Sequence, residues 1–92
     1  MKIKIQKSDL KNNLYSFLRK CGYTSFYDSY IKILSSSGYP RFHLYINEEE
    51  KKYIFNLHLD QKKPSYGKET AHSGEYNGKV VEEEEKRIMD LL

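Results

Sequence analysis

Two stretches, "RFHLYI" at 41–46 and "YIFNLHLD" at 53–60, constrain the fold of this chain more than any other feature. In each, apolar residues alternate with others: Phe42, Leu44 and Ile46 in the first, Phe55, Leu57 and Leu59 in the second. A period of two places each set on one face of a strand. The intervening "NEEEKK" is short and polar, so the two strands predict a β-hairpin. A loop centred between Glu49 and Glu50 sets Leu44 opposite Phe55 and Phe42 opposite Leu57, so the apolar faces coincide. The same register sets Arg41 opposite His58 and His43 opposite Asn56, with the two histidines as diagonal neighbours on the other face.

The remaining segments supply cover for the apolar face. "KIKIQ" alternates and predicts a short half-buried strand. "SDLKNNLYSFLRKCGY" predicts a helix capped by Ser8, with Leu10, Leu14, Phe17, Leu18 and Cys21 on one face and Gly22 as the stop. Ser29–Ser35 predicts a strand and 36–40 a turn. From Asn77, a potential cap, a second helix places Val81, Ile88, Leu91 and Leu92 on one face. Its "EEEE" run suits a helix N-terminus, and Glu82–Lys86 and Glu83–Arg87 are i,i+4 pairs in the favourable order. The order strand, helix, three strands, helix predicts an α+β two-layer sandwich, an antiparallel sheet with two helices packed on one face. Ninety-two residues accommodate a single domain, 1–92.

Composition narrows the class further. At 38% hydrophobic and 14% aromatic, the chain can bury a core. Nine tyrosines suit a thin core, because the ring can be buried while the hydroxyl reaches the surface. The single cysteine, Cys21, excludes an internal disulfide and reads as a small buried hydrophobe. No apolar run approaches the length of a signal peptide or a membrane span, which predicts a soluble, cytoplasmic protein with no membrane partner. Residues 1–46 hold eight Lys or Arg against two acids, and 47–92 hold eight against eleven. A basic front half admits an anionic partner, although a net +3 is low for a dedicated nucleic-acid binder.

The polar side of the hairpin is the first place to look for function. It carries Arg41, His43 and Tyr45 on one strand and Ile54, Asn56, His58 and Asp60 on the other. Residues 61–76 follow without periodicity and bring Lys62, Lys63, Tyr66, Lys68, His72, Ser73, Glu75 and Tyr76. One reading is RNA binding or cleavage. His43 and His58 would be acid and base, Arg41, Lys62 and Lys63 would neutralise phosphate, and Tyr45, Tyr66 or Tyr76 would stack on bases. Another is a metal site of His43, His58, Asp60 and His72. A third is a non-catalytic module whose polar face and loop bind a protein partner. No cofactor is expected, while the metal reading admits zinc or a similar divalent ion.

Two resemblances bear on these readings. From Ser8 onward the helix, three-strand, helix order resembles the double-stranded-RNA-binding domain and the HicA-type toxin ribonucleases that share its architecture. "LRKCGY" and "YPRFHLYI" are similar to that toxin pattern, which implies a catalytic histidine near the start of the second strand, at His43. The toxin's glycine-serine-histidine signature is replaced by Tyr39, Pro40, Arg41 and Phe42, and "EEEE" replaces the basic residues that the resemblance implies around the start of the last helix. Over more of the chain, "YPRFHLYI", "NLHLDQKKPSY", "AHSGEY" and "VVEEEEKRI" resemble a family of small bacterial proteins, a likeness that implies one coherent domain and no particular activity.

Overall fold

The computed structural model describes residues 1–61, 74–75 and 78–92. It is an α+β two-layer fold with an antiparallel sheet and two helices. The strands are β1 (Lys2–Gln6), β2 (Thr24–Phe26), β3 (Ser29–Ile33), β4 (Arg41–Glu48), β5 (Lys52–Asp60) and the short β6 (Gly74–Glu75). The helices are α1 (Leu14–Cys21) and α2 (Lys79–Asp90). The sheet order is β1-β5-β4-β3-β2, and β6 pairs with the far end of β5, at Leu59 and Asp60.

The β4–β5 hairpin closes through a two-residue turn at Glu50 and Lys51, where the Glu49 N–H donates to the Lys52 carbonyl at 2.8 Å. This corrects the expected register by two residues. Leu44 pairs with Leu57, His43 with His58, Arg41 with Asp60 and Tyr45 with Asn56. A shift of two preserves both faces, so the apolar pattern alone accommodates either register. β2 and β3 form a second hairpin through Tyr27 and Asp28, where Tyr27 takes a left-handed φ of 55°. β2 is an addition to the expected order; its three residues, "TSF", are too few to show alternation.

Helix α1 begins later than its sequence pattern predicts. Lys7–Asp9 form one 3-10 turn, Leu10 is extended, and Asn13 rather than Ser8 is the cap, its Oδ1 accepting the Ser16 N–H at 2.8 Å. The end is as expected. Gly22 takes φ 96°, its N–H donates to Arg19, and the Tyr23 N–H donates to Leu18, a pair of bonds that satisfies the last carbonyls. Gly78 precedes α2 at its N-cap position, and Asn77 lies outside the described residues.

Both helices pack on the same face of the sheet. Phe17, Leu18 and Cys21 of α1 and Val81 and Ile88 of α2 share one cluster with Ile3, Ile5, Phe42, Leu44, Phe55, Leu57 and Leu59. Burying each large aliphatic side chain contributes about 1.5–3 kcal/mol. Within this layer Glu84 of the "EEEE" run is also buried. It accepts from the Tyr23 hydroxyl at 2.6 Å and from Arg87 Nε and Nη2 at 2.8 Å each, while Arg87 Nη2 also donates to the Cys21 carbonyl at 2.6 Å. Arg87 therefore pairs with Glu84 at i,i+3, not with Glu83 at i,i+4. Burial, then the bond to Glu84, raises the Tyr23 phenol pKa, and burial pushes the Cys21 thiol up to about 11. A thiol so shifted is a poor nucleophile at neutral pH. Among the described residues, no helix is long and apolar enough to cross a membrane.

Candidate functional site

Alternation along β4 and β5 sends His43, His58 and Asp60 to the face away from the helices. The corrected register makes the histidines direct neighbours, with ring centroids 5.0 Å apart. Asp60, two residues beyond His58 on the same face, reaches both. Its Oδ2 lies 3.0 Å from His43 Nδ1 and its Oδ1 lies 3.0 Å from His58 Nε2. One carboxylate thus accepts an N–H from each imidazole, which fixes the orientation of both rings.

The far nitrogen of His43 is engaged as well. Ser29 Oγ, from β3, lies 2.8 Å from His43 Nε2 and 2.9 Å from the Phe26 carbonyl. A hydroxyl has one proton, so it donates to one of these at a time. With neutral His43, Ser29 donates to Nε2. With charged His43, Nε2–H donates to Oγ and the hydroxyl turns to Phe26. The connectivity Ser29–His43–Asp60 is that of a nucleophilic triad, but Ser29 is only 3% exposed, so the arrangement is a relay and not an open nucleophile.

The histidines are not laid open to solvent as an uncovered sheet face would leave them; each is 8% exposed. Tyr45 stacks on His43 at 4.5 Å and on His58 at 5.7 Å, and Phe26 meets His43 edge-on at 6.0 Å. Burial lowers the His58 pKa, and the neighbouring His43 adds to that, while Asp60 acts in the opposite sense.

Arg41 lies beside this group. Its guanidinium carbon sits 4.7 Å from the Phe26 ring centre and 4.5 Å from that of Tyr39. Its Nε is 3.6 Å from Asp60 Oδ2, an ion pair beyond hydrogen-bond reach, and is buried with no hydrogen-bond partner among the described residues. In the turn before β4, the Ser35 and Ser37 hydroxyls donate to the Tyr39 carbonyl and tie down the segment that carries this ring.

No protein-family model matches the chain, and no curated protein or solved structure matches it at a significant level.

Of the residues expected at the site, the structure gathers Arg41, His43, Tyr45, His58 and Asp60. Asn56 is opposite Tyr45 in the register, one step further along the same face. Glu75 is opposite Leu59 through its backbone. Lys62, Lys63, Tyr66, His72 and Tyr76 lie outside the described residues. Three contributors escape the sequence pattern: Ser29, Phe26 and Tyr39. Only Ser29 leaves a signal, since it shares a strand face with Ile31, the residue that pairs with His43.

His43, His58 and Asp60 each offer one donor atom within 4.8 Å of the others, a grouping compact enough for a divalent ion. In the hydrogen-bonded state those atoms are engaged with one another, and Arg41 is a cation close to the shared carboxylate.

Proposed function

We propose that the outer face of the sheet contacts RNA and that its imidazole pair moves protons at the phosphodiester. The observation that carries this reading is two imidazoles on one carboxylate, one of them also bonded to a hydroxyl that can serve either protonation state. Lowered by burial, His58 favours the neutral form and suits a general base, taking the proton of an attacking 2′-hydroxyl. The new P–O bond to that oxygen forms as the bond to the 5′ oxygen breaks, and the leaving oxygen takes the proton that His58 has accepted. His43, with both nitrogens engaged, orients the Asp60 carboxylate that holds His58. Exposed Lys2 and Lys4 alternate with buried Ile3 and Ile5, which puts two further cations on the outer side of β1. Tyr45, 42% exposed, offers a ring to a base.

The test is binding and cleavage of single-stranded RNA over a salt series. Binding weakens steeply as salt rises, and His58→Asn abolishes cleavage while leaving affinity largely intact. Salt-insensitive binding, or none, overturns the RNA reading. Cleavage that survives His58→Asn overturns the catalytic assignment alone.

The 4.8 Å grouping favours a second reading, a divalent metal on His43, His58 and Asp60. On that reading the purified protein carries near-stoichiometric metal and its melting temperature falls with chelator. Metal-free protein that melts unchanged with added zinc excludes it.

A further inference from the structure

Among the described residues, Arg41 Nε is the one buried side-chain polar atom without a hydrogen-bond partner. A guanidinium has five N–H donors in one plane. Among the described residues those of Arg41 make no hydrogen bond, and the nearest carboxylate oxygen stays at 3.6 Å from Nε. Buried donors are ordinarily satisfied, so an unmet one calls for an explanation. The side chain is not loose: Phe26 and Tyr39 lie 4.7 and 4.5 Å from its centre, and the side chain is 14% exposed. The rings flank the guanidinium, and with Nε buried beside Asp60 the Nη groups are the donors that a ligand would meet. An edge of parallel N–H groups matches two oxygens of one oxyanion, and a fork already held in place loses little freedom on binding.

The surroundings favour phosphate over the carboxylate of a peptide. Tyr27, Phe26, His43 and Tyr45 form an unbroken run of ring contacts at 4.8, 6.0 and 4.5 Å, and Tyr27 is 92% exposed. Flat rings beside a phosphate receptor suit the bases that flank it in a single strand. We infer that Arg41, clamped between Phe26 and Tyr39, is the receptor for one backbone phosphate of single-stranded RNA, held edge-on through two oxygens. This rests on the RNA reading above and adds how one phosphate is recognised, by a held planar fork and not by a mobile charge.

The experiment follows the Arg41 guanidinium N–H resonances by NMR in the wild-type protein, with inorganic phosphate, acetate and a mixed-sequence RNA hexamer as separate probes. Affinity for the hexamer is measured in parallel for Arg41→Gln and Arg41→Lys, each confirmed as folded by its amide spectrum. The expected result is a saturable shift of the resonances with phosphate and with RNA. Affinity falls by about tenfold in Arg41→Gln and by nearly as much in Arg41→Lys, because a point charge lacks the planar fork. A hexamer that binds without moving the resonances, or binds Arg41→Lys within about twofold of wild type, overturns the receptor and leaves the RNA reading standing. Phosphate that moves the resonances when RNA does not bind removes the RNA reading and keeps the oxyanion receptor. Acetate binding more tightly than phosphate overturns the phosphate assignment. The wild-type titration decides the matter even if neither variant folds.

Discussion

Two arginines sit on opposite faces of this sheet, and they are used in opposite ways. Arg87 makes three hydrogen bonds, two to Glu84 and one to the Cys21 carbonyl, and Tyr23 completes the group. Arg41 has a distant carboxylate and two ring faces. The first network is closed: its carboxylate and cation answer each other, and it ties α2 to the end of α1. The second holds its cation rigidly without saturating it. Stability accounts for the first arrangement, whereas the second, with a donor set incomplete among the described residues, is the one proposed above as an oxyanion receptor.

The largest effect that would test this contrast is at Glu84. Glu84→Ala leaves a buried phenol and a guanidinium without their acceptor and lowers unfolding free energy by about 3 kcal/mol in denaturant titrations. A loss below about 1 kcal/mol would show that the closed network holds little together. Asp60→Ala comes next, at about 2 kcal/mol, since two imidazole N–H groups lose their acceptor while the partly exposed site admits water. Unchanged stability there would mean that the imidazoles find other acceptors.

A smaller effect is expected from pH. His58 in the fold has a pKa below its ordinary 6.5, so the unfolded chain takes up the proton more readily. The resulting stability is fully present above about pH 6.5 and is lost as pH falls toward the folded pKa. His58→Gln should flatten that part of the profile between about pH 7 and 5, and an unaltered slope would assign the dependence to other groups. The smallest effect is at Arg41. Arg41→Gln changes stability by no more than about 1 kcal/mol, less than Arg87→Gln, because among the described residues it removes ring contacts and a long ion pair but no hydrogen bond. Equal losses at the two arginines would erase the contrast.

The layered fold and the sidedness of the site were readable in the sequence. Phe42, Leu44, Phe55 and Leu57 alternate strictly enough to place His43 and His58 on the opposite face. Which residues stand directly across from each other was not readable. The register depends on where two polar residues turn, and "NEEEKK" offers several equivalent places. That slip hid the shared carboxylate, because it moved Asp60 away from its true position opposite Arg41. Phe26 stayed hidden because β2 is three residues long, and the bond from Ser29 to His43 because the pairing of β3 with β4 was not readable. Glu84 was concealed among identical neighbours, where only the packing of α2 singles it out.

The two acceptors of the Ser29 hydroxyl carry a kinetic consequence. When a buried ring gains charge, its surroundings must ordinarily reorient, and that rearrangement adds to the barrier. Here the Ser29 hydroxyl, with an acceptor on either side, can meet both states by one torsion about its Cβ–Oγ bond. Protonated and neutral His43 would therefore be almost superimposable in X-ray structures determined at different pH. The change would be visible to neutron diffraction or to imidazole nitrogen chemical shifts, which report hydrogens directly.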